Sequence, residues 1–222
     1  MSSRDKILDT VKKNQPEHQE LPSLPGEVAP VAAAAEQDLC KKFIATLEAI
    51  GGSAYIVSGF TRITSILKEF FPEARRIVSN CPELSAMAET PGHYEDAHTL
   101  ENTDLAVLRA HFGVAENAAC WITEDLMVER ALPFIAQHLA LIIHKKDIVA
   151  NMHEAYGRIA EWEKAGGGAR IGGEGTSYGF ATFIAGPSKT ADIEQSLVLG
   201  AHGPRSMTVF LLDEEMSDAG FY

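Results

Sequence analysis

Short apolar strands alternate with amphipathic helices along most of this chain, and that alternation constrains the fold more than any other feature. Leu39, Phe43 and Leu47 recur at helical spacing within residues 32–50. Parallel strands joined by helices need cover on both faces of their sheet. The order therefore predicts an α/β fold with a largely parallel sheet. Predicted helices span 32–50, 61–70 and 148–162, and predicted strands span 53–58, 76–79, 105–109, 119–123, 139–143, 182–185 and 207–212.

The first 30 residues differ from the rest of the chain. Ser2 followed by Asp5 resembles a capping box and predicts a helix over 3–14. Four prolines follow between positions 16 and 30, which excludes regular helix or a central strand there. The predicted organisation is a helical arm and proline-rich tether at 1–30, followed by one α/β domain at 31–222. Docking of the arm on a partner and folding back on its own domain both remain open.

The charge balance excludes several classes of partner. The chain has 19 Lys and Arg residues against 31 Asp and Glu residues, a net charge of −12. Nucleic-acid binding without sequence preference needs clustered basic charge, so we expect no nucleic-acid partner. No apolar run reaches the roughly 20 residues needed to span a bilayer, and charges near the N-terminus replace a signal peptide's apolar core. We therefore expect a cytoplasmic protein without membrane insertion.

The three cysteines, Cys40, Cys81 and Cys120, lie far apart in the sequence. No pair has the short spacing of a metal-binding or redox element, so we expect buried, reduced thiols. We predict no metal site in this chain. For the same reason we expect it to bind no cofactor and no iron–sulfur cluster of its own.

The segment 186–194 is the first candidate ligand site. It follows a predicted strand, and Ser188 or Thr190 would begin a helix with Asp192 and Glu194 in its first turn. Backbone N–H groups at such a helix start, together with Gly186, would bind a carboxylate or a phosphate. The alternative is a hydrogen-bonded turn without a ligand, because the two acidic side chains would repel an anion.

Two further side chains are candidates for chemistry. His202 precedes Gly203 in a predicted turn, where an imidazole could transfer a proton or bind a carboxylate. Glu116 lies in a turn next to a predicted strand and is the best carboxylate candidate. A backbone hydrogen bond for His202 and a solvated turn for Glu116 are the alternatives. The glycine-rich stretch 166–179 is either a ligand-covering loop or a plain surface loop, and it carries no dinucleotide fingerprint.

The C-terminal block resembles the signature of the LutC/YkgG branch of the lactate-utilisation (LUD) domain proteins. The family pattern is roughly G-P-S-x-T-A-D-I-E, then G-x-H-G-P and a final apolar strand. Residues 186–194 and 200–204 carry those letters in order. The resemblance covers about residues 35–213. It departs at Asn117-Ala118-Ala119, where many relatives carry a Thr-Gly-Thr-like turn.

This resemblance implies a three-layer α/β/α sandwich of the type shared by ribose-phosphate isomerases and CoA transferases. It also implies a part in the oxidation of L-lactate to pyruvate, as a cluster-free subunit working with LutA-like and LutB-like redox subunits. An iron–sulfur cluster is then expected only in a partner subunit. A small anionic metabolite is the implied ligand, and a homo-oligomer is left open.

Two functions of other classes also fit the sequence. A stand-alone enzyme of this fold would bind a phosphorylated or acyl ligand, and the glycine-rich stretch favours it. A regulatory or scaffolding module would use the 1–30 arm for docking. Nothing in the sequence supplies an independent catalytic centre, so whether the chain is itself an enzyme stays open.

Overall fold

The computed structural model describes residues 2–16, 36–90, 96–164, 179–193 and 196–213. The chain divides into two compact units, residues 1–33 and residues 34–222. In the first unit, Ser3–Lys13 forms helix α1, as the sequence predicts. The Ser2 hydroxyl accepts from the backbone N–H of Asp5, whose carboxylate accepts from the N–H of Ser2, so the capping box is complete. The predicted tether lies outside the described residues beyond position 16.

The second unit follows the predicted alternation closely. Its helices are α2 (Glu36–Ala49), α3 (Phe60–Phe70), α4 (Leu132–Ile135) and α5 (Met152–Lys164). Its strands are β1 (Ser53–Val57), β2 (Ile77–Ser79), β3 (Leu105–Arg109), β4 (Phe112–Val114), β5 (Ala119–Thr123), β6 (His138–His144), β7 (Ile148–Val149), β8 (Ala181–Ile184), β9 (Lys189–Ile193), β10 (Ser196–Leu199) and β11 (Ser206–Leu212).

Five of these strands form one parallel sheet in the order β1–β11–β6–β3–β2. Successive side chains alternate between its two faces. On one face, Leu108 of β3 shares a core with Phe43 of α2. On the other face, Val107 shares a core with Ile63 of α3. Helices thus cover both faces, which gives the α/β/α sandwich that the resemblance implies.

A second sheet, in the order β7–β4–β5–β8, adds to the α2 side of the sandwich. The sequence analysis missed two of its strands. It predicted a helix from residue 148, but Ile148–Val149 pairs with β4 and the helix begins at Met152. The Asn151 side chain accepts from the N–H of Glu154 at 3.0 Å, so this Asn caps the helix and sets its true start. The other missed strand is β4, Phe112–Val114, which lies between the predicted strands 105–109 and 119–123.

The predicted helix start within 186–194 is wrong, because this segment enters an antiparallel hairpin. Strand β9 pairs with β10, and Thr190 lies opposite Val198. β-Branched residues pack well on a pleated surface, and no apolar residues recur at helical spacing in this segment to oppose that preference. Candidate N-cap residues alone were therefore a misleading signal.

The three cysteines are buried and form no disulfide. Between β2 and β3 lie two short 3-10 turns, Pro82–Leu84 and Ala97–Leu100. No helix in the described parts of the chain is long and apolar enough to cross a membrane. The parallel sheet leaves two edges, an amino edge where its strands begin and a carboxyl edge where they end. These two edges position the candidate sites.

Candidate functional site

The segments that carry the sequence signature meet at the amino edge of the parallel sheet. The backbone N–H of Ser188 donates to the carbonyl of Pro204 at 2.9 Å, and the N–H of Gly200 donates to the carbonyl of Ser188 at 3.0 Å. Pro204 is buried. We call this contact between residues 186–188 and 200–204 the signature junction.

Two glycines of the signature junction lie where a larger residue would make tight contacts. A Cβ atom on Gly203 would lie 3.1 Å from Cβ of Ser188. Gly186 has a φ of 69°, and an added Cβ atom would lie 3.0 Å from Cδ1 of Ile50. Glycine is the residue that tolerates both a left-handed backbone and such an approach. The structure therefore brings three predicted ligand residues together, and their packing explains the glycines without a ligand.

The other predicted ligand residues are more scattered. Thr190 lies on β9 and is partly buried, and Asp192 follows it on the same strand. Glu194 lies outside the described residues. The His202 side chain is exposed in the loop before β11. A ligand-binding role for this set stays a prediction.

Glu116 lies apart from the junction, in the turn between β4 and β5. It is exposed, and its Oε2 accepts from the backbone N–H of Met152 at 2.9 Å. The first N–H groups of a helix lack partners within the helix, so this carboxylate complements the start of α5. A structural role accounts for its position.

The same turn contains the departure from the family pattern, Asn117-Ala118-Ala119. Ala118 is fully buried and has a φ of 56°, a left-handed conformation that glycine adopts at no steric cost. By the resemblance described above, many relatives would have glycine at this position. Asn117 supports the turn, because its side-chain oxygen accepts from the N–H of Ala119 at 3.1 Å. This chain therefore builds the turn with an alanine in a left-handed conformation.

A cavity of about 250 Å³ lies at the amino edge. His138 lines this cavity, with Nδ1 2.7 Å from the Ser206 hydroxyl oxygen and its ring 4.9 Å from that of Phe71. Burial lowers the pKa of His138, and the charge of Arg205 lowers it further. The remaining wall includes Phe70, Pro72, Glu73, Asp104 and Gln137.

The carboxyl edge holds a different arrangement, which we call the His111 cluster: His111, Thr123 and Asp125. His111 follows the end of β3, and its Nε2 lies 2.6 Å from Oγ1 of Thr123. Thr123, the last residue of β5, is fully buried and donates its hydroxyl proton to Oδ1 of Asp125. Burial lowers the pKa of His111 most. The charge of Arg158 also lowers it, and Asp125 and Asp147 oppose the shift.

Residues of α5 border the His111 cluster. The ring of Trp162 lies 4.8 Å from the His111 ring. Arg158 donates to Oδ1 of Asp147 at 2.5 Å and lies over the Phe112 ring. The cluster therefore combines a partly exposed imidazole, an aromatic wall and a nearby guanidinium group.

The backbone next to the cluster is strained. Val128 has a φ of 69°, and the N–H of Glu129 donates to the carbonyl of Met127 across it at 2.8 Å. This is a tight turn of the strained γ type, and a β-branched residue rarely adopts it. Strain of this kind is concentrated at functional sites in proteins.

The sequence analysis did not identify the His111 cluster. One signal was available, because His111 lies two residues after the predicted strand 105–109, and ligands of α/β proteins bind at the carboxyl ends of parallel strands. Among the described residues, no group of three or more His, Cys, Asp or Glu side chains could hold a metal ion.

Comparison with known proteins identifies the family. The family model of the LUD domain matches residues 93–212, just over half of the chain. The chain belongs to the LUD domain family. The matched range of this LUD domain protein includes the His111 cluster, the cavity residue His138 and the signature junction.

Curated relatives of this LUD domain protein include a "Lactate utilization protein C" from Bacillus pumilus, 29% identical over 121 residues, which are 54% of this chain and 47% of the relative. The protein YkgG from Escherichia coli is 24% identical over 184 residues, 82% of this chain and 70% of the relative. The chain spans about half the length of the Bacillus pumilus protein, and about half that of a second relative named lactate utilization protein C.

One solved structure confirms the fold. The crystal structure of a DUF162 family protein from Deinococcus radiodurans superposes with a TM-score of 0.56 at 14% identity. The match covers 81% of this chain and 99% of the other. At this identity the likeness concerns the α/β sandwich alone.

Proposed function

We propose that this LUD domain protein is a cluster-free subunit of a system that oxidises L-lactate to pyruvate, working with LutA-like and LutB-like redox subunits. The observation that carries the proposal is its family membership, together with relatives named lactate utilization protein C. The signature segments are also joined as one packed junction at the amino edge, which supports a shared architecture with those relatives.

A growth experiment tests the role in lactate use. The gene is deleted in its own host, and growth is compared on L-lactate and on pyruvate as sole carbon sources. We expect slow or absent growth on L-lactate, normal growth on pyruvate, and rescue by the full chain. Parental growth of the deletion strain on L-lactate would refute the proposal.

A reconstitution experiment tests the partners. The LutA-like and LutB-like proteins are purified with and without this chain, and L-lactate-dependent reduction of an electron-accepting dye is measured. We expect the three proteins to co-purify and the dye reduction to need all three. Full turnover by the other two subunits alone would remove the proposed subunit role.

A further inference from the structure

We infer that the His111 cluster binds a small hydroxy acid, whose hydroxyl group donates a hydrogen bond to Nδ1 of His111. The existence of a ligand site rests on the geometry of the carboxyl edge. The choice of a hydroxy acid rests on the proposed function. Neither the family description nor the names of the relatives assign any role to these residues.

The hydrogen bonds within the cluster determine which ring nitrogen faces a ligand. A threonine hydroxyl has one proton, and that of Thr123 is donated to Asp125. The contact of 2.6 Å between Nε2 of His111 and Oγ1 of Thr123 therefore has the imidazole as donor. A neutral imidazole with its proton on Nε2 presents an acceptor lone pair on Nδ1. Among the described residues, none donates a hydrogen bond to Nδ1.

The surroundings suit an anion that carries a hydroxyl group. A guanidinium group has five N–H donors, and the one hydrogen bond described for Arg158 uses a single donor, to Asp147. The Arg158 side chain is 40% exposed, so a carboxylate can approach it from solvent. Trp162 provides an apolar wall beside the imidazole. A small 2-hydroxy acid has both groups that these residues would contact.

The position in the fold supports the same conclusion. His111 follows β3, an interior strand of the parallel sheet, at the edge where ligands of open α/β sheets bind. The strained turn at Val128 lies three residues after Asp125. The buried hydroxyl of Thr123 lies between the imidazole and the carboxylate of Asp125, and a hydrogen bond to one ring nitrogen fixes which nitrogen carries the proton.

The amino-edge cavity is the natural comparison, because it also contains a partly buried histidine hydrogen-bonded to a hydroxyl group. Its wall includes the carboxyl groups of Glu73 and Asp104. These two acidic groups would repel a carboxylate, and among the described residues no Arg or Lys lines that cavity. The His111 cluster also has acidic neighbours, but there Arg158 is paired with Asp147 and keeps further donors. His138 therefore serves as an internal control for His111.

Nuclear magnetic resonance of the full chain, labelled with nitrogen-15 in its histidine rings, tests the inference. The wild-type protein is titrated with L-lactate and, separately, with acetate, which has a carboxylate but no hydroxyl group. The variant H111Q assigns the His111 signals and H138Q those of His138. We expect the unliganded His111 ring to carry its proton on Nε2, and we expect L-lactate to shift its Nδ1 signal and leave His138 unchanged.

Acetate should bind about tenfold more weakly than L-lactate, which corresponds to loss of one good hydrogen bond. An equal response to both anions would overturn the inference, because the hydroxyl group would then go unrecognised. So would an unmoved His111 at saturating L-lactate. These results need only the wild-type fold, so an unstable variant would not obscure them.

Variants of Thr123 test its positioning role. T123V removes the hydroxyl group and should mix the two imidazole tautomers and weaken L-lactate binding about tenfold. T123S retains the hydroxyl group and should restore both properties. S206A is the matched control at the amino edge and should leave both unchanged. Retention of the Nε2 tautomer and of L-lactate affinity in a folded T123V protein would contradict the role.

The growth experiment separates failure of this inference from failure of the proposed function. If the deletion strain grows normally on L-lactate, the proposed function fails. If it does not grow and folded H111Q rescues it fully, the hydroxy-acid site fails and the proposed function stands.

Discussion

The two edges of the parallel sheet use polar groups in different ways. At the amino edge, the signature junction packs glycine and proline backbone tightly, and His138 lines a cavity beside it. At the carboxyl edge, a buried threonine links an imidazole to a carboxylate. The edge that is easiest to recognise in the sequence is explained largely by packing. The edge with the linked imidazole, hydroxyl and carboxylate groups is built from residues that lie farther apart in the chain.

The largest expected contrast between the edges comes from removing one hydroxyl group at each. T123V should lower the free energy of unfolding by about 2–3 kcal/mol, because it breaks bonds to a carboxylate and an imidazole at a fully buried position. S206A should lower it by about 1 kcal/mol. Chemical denaturation at neutral pH measures both. Equal losses of unfolding free energy in the two variants would mean that the Thr123 hydroxyl group stabilises the fold no more than the Ser206 hydroxyl group does.

A methyl group added at each edge should also distinguish them. G203A should lower the free energy of unfolding by about 1 kcal/mol, because the new Cβ atom would approach Ser188 closely. G59A, at the carboxyl end of β1, has nothing within 4 Å of the new atom and should change it by less than about 0.5 kcal/mol. Thermal denaturation reports the difference. A harmless G203A would show that the signature junction is loosely packed.

A smaller contrast appears in the pH dependence of stability. His111 and His138 both have a lowered pKa in the folded protein, so the unfolded chain binds more protons in that range. The contribution of these two neutral histidines to the free energy of unfolding is therefore present above pH 6.5, the ordinary pKa of histidine. It is lost as the pH falls below that value. H111Q and H138Q should each flatten this slope between about pH 7 and 5.

The two slope changes should add in the double variant, because the groups lie at opposite ends of the sheet and share no partner. Denaturation midpoints measured across the same pH range supply the test. A double variant with the slope of either single variant would show that the edges are coupled.

The smallest effect concerns the turn between β4 and β5. A118G should leave the free energy of unfolding nearly unchanged, since relief of the left-handed backbone offsets the lost methyl contacts and the greater freedom of the unfolded chain. A119G, in the adjoining strand and equally buried, should lower it by about 1 kcal/mol. Calorimetry resolves the pair. Similar losses for both would indicate that Ala118 is not strained.

The sequence predicts the parallel sheet well, because buried strands have long apolar runs that helices and glycines separate. All five strands of that sheet were predicted, from Ser53–Val57 to Ser206–Leu212. Strands of two or three residues, such as Ile148–Val149, give too short a pattern to detect. Their pairing depends on tertiary neighbours rather than on local preference.

The candidate site was harder to predict for a geometric reason. The predicted set around Ser188 is nearly contiguous in sequence, so one segment suggested it. The His111 cluster depends on β5 placing Thr123 against the residue that follows β3. That juxtaposition arises from strand register, which composition and spacing do not contain.

The burial of the cysteines has a practical consequence. Burial raises the pKa of Cys120 to about 12 and also raises that of Cys81, and Cys40 is buried as well. Thiolates are the species that react with peroxides and alkylating agents. The native chain should therefore resist both, and a single cysteine introduced on its surface would be a selective attachment point for a fluorescent or spin label.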